Sequence, residues 1–264
     1  MVEQVLGPDY PEMATMLHKQ AEAYRSQGQY SNAEPLYLRA LSIWEHVLEP
    51  EHPEVAASQQ SLAGLYAAQG QYGKAEPLYL RALAVREKTL GPDHADIAAG
   101  LTALAEIYCL QGRYDKAEPL YLRTVATWWQ SLEPHQADLA TCLNSLADIY
   151  RVQGHYAKAE PLALQALTIR ERLFGPDHAD VATSLNTLAL LYVAQAQYGK
   201  AEPLYVRAVA TGEQTLGPDH EGMTVLLENY AALLRQTQRD TRAFAMQARV
   251  KTIRARYAQQ GSPQ

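Results

Sequence analysis

Along the chain, apolar residues return at intervals of three and four positions, in stretches broken by short polar segments that carry Gly and Pro. Val181, Leu185, Leu188, Ala189 and Tyr192 fall on one face of a helix with 3.6 residues per turn. Ala201, Leu204, Tyr205, Ala208 and Val209 do the same in the next stretch. Gly28, Gly70, Gly112 and Gly154 stand between the members of such pairs, where a helix C-terminus needs a residue able to turn left-handed. The pattern predicts an all-α chain of helix pairs joined by tight turns. One pair cannot hide both of its apolar stripes, so neighbouring pairs must stack into a continuous solenoid.

The pairs are copies of one another. Leu90-Gly91-Pro92-Asp93-His94 returns as Phe174-Gly175-Pro176-Asp177-His178 and as Leu216-Gly217-Pro218-Asp219-His220. Earlier versions are Leu6-Gly7-Pro8-Asp9-Tyr10 and Leu48-Glu49-Pro50-Glu51-His52, and a degraded one is Leu132-Glu133-Pro134-His135. Every step is 42 residues, without insertion or deletion. A second block, with Gln-Gly-Gln-Tyr ahead of Ala-Glu-Pro-Leu-Tyr, runs in phase from Gln27 to Tyr37, Gln69 to Tyr79 and, with Arg113 for the second Gln, Gln111 to Tyr121. Variants of it span Gln153 to Ala163 and Gln195 to Tyr205. The predicted repeats are 6–47, 48–89, 90–131, 132–173, 174–215 and 216–257, within one solenoid domain covering 1–264. Tyrosines confirm the register: most of the 17 fall in three columns one repeat apart, and core packing is the expected role for them.

Local chemistry assigns the helix ends. Gly-Pro stops a second helix, and the Asp that follows is the expected N-cap of the next first helix, with an acid three residues on. Asp9/Glu12, Glu51/Glu54, Asp93/Asp96 and Asp177/Asp180 fit that pattern. Pro35, Pro77, Pro119, Pro161 and Pro203 are expected near the first turn of each second helix, where a missing N–H is tolerated. Three departures predict local weakness or an end. Ala163 replaces a column tyrosine, Ala196 replaces a turn glycine, and the sixth repeat loses the Gly-x-Tyr turn. That last repeat carries Arg239, Arg242, Arg249, Lys251, Arg254 and Arg256, as a polar end cap would. Met1 to Val5 has the pattern of the tail of a preceding second helix, so the expectation is a chain cut from a longer array. Its first face would then be uncapped and open to self-association.

Composition narrows the function. A net charge of −6 argues against a general nucleic-acid binder, and no apolar run is long enough for a membrane span. Without a signal-peptide pattern, and with only Cys109 and Cys142, the expected compartment is the cytoplasm. His52, His94, His178 and His220 share a loop position but lie a repeat apart, too far to share one metal ion, so loop or capping roles are expected. Gly70-Gln71-Tyr72-Gly73-Lys74 has neither the spacing nor the preceding strand of a phosphate loop. No catalytic motif, cofactor site or metal site is found, and the expectation is a non-enzyme.

Ala63, Ala105, Ala147 and Ala189, the Gly-x-Tyr turn and the later Ala and Tyr resemble the tetratricopeptide repeat. The 42-residue form, with Leu-Gly-Pro-Asp-His and Ala-Glu-Pro-Leu-Tyr, is similar to the kinesin light chain subtype over residues 6–257. That resemblance implies a right-handed superhelix whose first helices line a concave groove for a peptide or protein segment. One column would face it: His18, Gln60, Thr102, Asn144, Asn186 and Glu228, followed a turn later by Glu22, Gly64, Glu106, Asp148, Leu190 and Ala232. In that family asparagines of a Leu-Asn-x-Leu-Ala stretch hold peptide backbone, and Asn144 and Asn186 match it. Ligand contact and a solvated helix face both remain open for these asparagines. Arg151 either meets an acidic group of the ligand or pairs with Asp148 three residues earlier. Trp128 and Trp129 replace polar residues of their columns and form either an aromatic interface or local packing. The expected function is a protein-interaction scaffold, and the second reading is a ligand-sensing array excised from a larger signalling protein.

Overall fold

The computed structural model describes residues 10–92, 94–129 and 135–260, apart from the side chains of 259 and 260. They form twelve helices: α1 (Pro11–Ser26), α2 (Tyr30–Val47), α3 (Pro53–Ala68), α4 (Tyr72–Leu90), α5 (Ala95–Leu110), α6 (Tyr114–Trp129), α7 (Gln136–Val152), α8 (Tyr156–Phe174), α9 (Ala179–Ala194), α10 (Tyr198–Leu216), α11 (Met223–Gln236) and α12 (Asp240–Gln260). No strand occurs among the described residues. The chain divides into two compact units, Met1–Gln130 with α1 to α6 and Ser131–Gln264 with α7 to α12. The expected Asp9 and Asp93 caps and the Met1–Val5 segment lie outside the described residues.

Small residues explain why the helices pair. On first helices Ala21, Ala63 and Ala105 in one unit, and Ala147, Ala189 and Ala231 in the other, are no more than 1% exposed. Ala33, Ala75, Ala117, Ala159 and Ala201 of the second helices are fully buried too. With only a methyl group at the contact, two backbones approach closely, and leucines such as Leu62, Leu104, Leu146 and Leu188 fill the space around them. Ala163 is likewise fully enclosed, despite standing where its column has tyrosine.

The prolines sit deeper than the first turn. Pro35, Pro77, Pro119, Pro161 and Pro203 are each the sixth residue of a second helix that runs on through them. An interior proline costs about 3 kcal/mol in an isolated helix. Each fully buried large side chain returns about 1.5–3 kcal/mol. Tyr37, Leu41, Ile43 and Trp44 are all buried on α2 alone, so packing outweighs the lost bond.

Turns within the pairs close as the glycines predict. Gly28, Gly70, Gly112 and Gly154 have φ between 71° and 77°. The following N–H reaches back five residues, as in Gln71 N to Tyr66 O at 2.8 Å. Ala196 and Gln238 hold the same position at φ 56° and 59°, so the turn persists in both repeats without its glycine.

The N-caps differ from the expectation. Histidine, one residue after the expected acid, is the capping residue: Nδ1 of His52, His94 and His178 accepts the backbone N–H of Glu54, Asp96 and Asp180, each at 3.2 Å. The second acid of each expected pair, Glu54, Asp96 or Asp180, lies in the first turn, where the helix dipole favours negative charge.

A buckle joins consecutive repeats within each unit. The Glu of Ala-Glu-Pro-Leu-Tyr accepts from a tyrosine on the next first helix: Tyr66 to Glu34 and Tyr108 to Glu76, both 2.9 Å, and Tyr192 to Glu160, 2.8 Å. A cation covers the ring, with Lys74 Nζ 4.7 Å from the centre of Tyr66 and Lys200 Nζ 5.0 Å from that of Tyr192. Burial first, and then the bond to glutamate, push the hydroxyls of Tyr66 and Tyr192 up to about 12. On α12 the basic residues pair back into their own unit, Arg249 with Glu213 at 2.7 Å and Arg254 with Glu228 at 2.9 Å.

Candidate functional site

In the first unit, the column expected to face a ligand is partly open. His18, Gln60 and Thr102 are half-buried and Glu106 is exposed. His18 Nε2 lies 3.1 Å from Ser61 Oγ on the next first helix, and its ring packs 5.4 Å from Tyr37 and 5.7 Å from Trp44. Burial lowers the pKa of His18, so it favours the neutral ring that such packing needs. Thr102 Oγ1 donates to Ala98 O at 2.9 Å. Glu22 and Arg25 form a 2.7 Å ion pair. Gly64 leaves room beside them, since a Cβ there would stand 3.4 Å from the Tyr79 hydroxyl and 3.9 Å from Arg25. Glu106 has solvent access, yet desolvation by the protein around it raises its carboxyl pKa.

The second unit corrects the expectation for Asn144. That side chain is only 7% exposed, and its Nδ2 donates to Ser184 Oγ at 3.1 Å across the seam between α7 and α9. Ser184 also accepts from Arg170 at 3.0 Å, and Arg170 reaches Thr141 Oγ1 at 3.0 Å and Asp180 O at 3.1 Å. Asn144 therefore belongs to a buried polar network, not to an open surface. Desolvation lowers the pKa of Arg170, which lies almost fully buried there. Asn186 is different: half-exposed, it accepts from Asn229 Nδ2 at 3.0 Å and lines a hollow with Thr183, Val225 and Leu226. Arg151 pairs with Asp148 at 2.7 Å, as its second reading foresaw.

The tryptophan pair is divided. Trp128 is 3% exposed, while Trp129 is 58% exposed, so the two do not form a joint exposed patch. The reason lies in the column of Trp128, which points inward: Trp44 is buried, and Arg170 reaches the carbonyl of Asp180 on the next first helix. Ser61, Thr141, Ser184 and Asn229 were missed in the sequence. They are small polar residues whose importance comes from the partner facing them across a seam. No cluster of three or more metal-binding side chains occurs among the described residues, and no described helix is long and apolar enough to cross a membrane.

The family model described as tetratricopeptide repeat matches residues 12–88, 61–128, 96–172 and 138–214, most of the chain. The chain belongs to the tetratricopeptide repeat family. Among solved tetratricopeptide structures it is similar to nearly identical TPR-like repeats of a kinesin light chain from Podosopora anserina. There identity is 28%, the TM-score is 0.67, and the match covers 78% of this chain and 98% of that one. BtubC (BKLC) from P. vanneervenii shares the fold at 23% identity and TM-score 0.64, covering 96% and 93%. Aspartyl phosphate phosphatase F from Bacillus subtilis shares it at 15% identity and TM-score 0.69, covering 93% of this chain and 61% of that one. No curated protein matches the sequence. Tetratricopeptide repeats are typically protein-interaction scaffolds and are generally not catalytic.

Proposed function

We propose that the chain is a scaffold that holds a peptide or protein segment along the exposed face of its first helices. One observation carries the reading. The scaffold columns, alanine against alanine and tyrosine against glutamate, repeat almost unchanged, whereas the half-open first-helix column runs through His18, Gln60, Thr102 and Asn186. A fixed frame with a varied polar face is what selective recognition requires. In the first unit Gln60, Thr102 and Glu106 supply donors and acceptors. In the second, Asn186 offers an amide to an extended backbone, the Asp148–Arg151 pair lies on the preceding first helix, and Asn144 holds the seam between α7 and α9. The similarity to kinesin light chain repeats supports the same reading.

The test begins with peptides selected from a displayed random library against the wild-type chain. Affinity in the micromolar range, about −8 kcal/mol, is expected for a short segment. Loss of one amide contact costs about 1 kcal/mol, so Asn186→Ala or Glu106→Gln should weaken a peptide bound in its unit by about fivefold. Titration calorimetry measures this. Unchanged affinity in both variants would remove the first-helix face as the binding surface.

A further inference from the structure

Leucine occupies one buried first-helix column, Leu17, Leu101, Leu143, Leu185 and Leu227, in every repeat but the second, which has Gln59. Gln59 is only 6% exposed, and its Oε1 is buried without a protein partner. It lines a hollow of about 440 Å³ with Val55 of α3, Glu45 of α2, Pro50 of the linking loop, and Arg81, Ala84 and Val85 of α4. Its lining comes from α2, α3, α4 and the loop between the repeats, and Gln60 is not part of it.

At three equivalent seams an arginine clasp joins the matching residues. Arg123 pairs with Glu87 at 2.5 Å and donates to Pro92 O. Arg207 pairs with Glu171 at 2.6 Å and reaches Pro176 O at 3.3 Å. Arg249 pairs with Glu213 at 2.7 Å and reaches Pro218 O at 3.2 Å. Arg81, Glu45 and Pro50 are the matching residues, and Arg81 makes neither bond. The backbone gives the cause. Gly91, Gly175 and Gly217 hold φ between 84° and 92° with ψ between 153° and 165°, a region that only glycine occupies readily. The residue at that step before Pro50 is Glu49. There α2 stops at Val47, Leu48 is extended at φ −113° and ψ 157°, and the proline is delivered differently.

We infer that this open clasp is a binding site for a small amphipathic molecule: an aromatic body, a hydroxyl at its deep end, and a charged outer end. Val55, Pro50, Ala84 and Val85 suit the aromatic body. A phenolic hydroxyl suits Gln59, because it donates to Oε1 and can also accept from the amide N–H. Glu45 and Arg81, exposed at the rim without an ion pair to each other, suit an ammonium and a carboxylate. The volume lies in the range of small-ligand pockets. The site is separate from the first-helix face and stands whether or not that face binds peptide.

L-Tyrosine is the probe and L-phenylalanine, which lacks the hydroxyl, the control, both followed by saturation-transfer NMR on the full chain. Saturable binding of tyrosine is expected, with phenylalanine at least about tenfold weaker, because a site built around a hydroxyl disfavours the analogue lacking it. Gln59→Leu restores the leucine column and should raise the unfolding midpoint while abolishing tyrosine binding. Ala84→Trp fills the hollow from its exposed rim and should abolish binding without touching the core. No saturable binding of tyrosine, equal binding of phenylalanine, or binding that survives both substitutions would overturn the site.

Discussion

Ala196 shows how much one backbone angle decides. It stands at φ 56° in a turn where four other repeats place glycine. A left-handed residue with a Cβ is strained, so Ala196→Gly should stabilise the chain by about 1 kcal/mol, read as a higher urea midpoint. A lower midpoint would mean that the alanine methyl contributes packing worth more than the strain. Asn144 and Asn186 carry the opposite lesson. They match in sequence and share a column, yet only Asn186 stays half-exposed. The residue that decides lies on the next helix: Ser184 draws Asn144 into the seam, while the equivalent place facing Asn186 is held by Leu226, and Asn229 meets it from higher up. Periodicity gives the column of a residue but not the partner across the seam. That is why periodicity places Asn144 on a surface it does not occupy and leaves Trp128 open between an interface and the packing it takes. The histidine caps were hidden for a related reason, since an Asp one residue earlier satisfied the same pattern.

At the scale of the helix pair, nearly everything was legible. Apolar spacing, turn glycines and tyrosine columns predict the alternation of first and second helices, because each signal repeats and each copy checks the others. What the pattern did not show was why the second block carries glutamate, which the structure explains through its bond to the next repeat's tyrosine. Glu76 is the strongest case: it accepts from Tyr108 at 2.9 Å and from Arg113 at 2.7 Å. The bond from Arg113 holds its carboxyl below the ordinary value despite some desolvation. A carboxyl depressed in the folded state stabilises it at pH values above the unfolded pKa, and that contribution is lost as pH falls through the folded one. Glu76→Gln should therefore lower the denaturation midpoint at pH 7 and flatten its fall as pH drops from neutral through the carboxylate range. An acid limb identical to wild type would show that the pair contributes nothing to folding.

For the whole molecule, the 42-residue step announced the fold and, by resemblance, the family, but it is blind to function. The division into two compact units falls beside the linking block that is most degraded in sequence, Leu132 to His135. The step length itself carries no sign of it. The second helices also carry exposed apolar residues, Leu80 and Leu122 in one unit and Leu164 and Val206 in the other. Within each unit these residues are the natural competitor of the first-helix face for any partner. A library-selected peptide carrying a photo-crosslinker, followed by mass spectrometry of the adduct, decides between the two most directly. Adducts at Gln60, Thr102 or Glu106, or at Asp148 or Asn186, are the predicted result. Adducts confined to Leu80, Leu122, Leu164 or Val206 would contradict it.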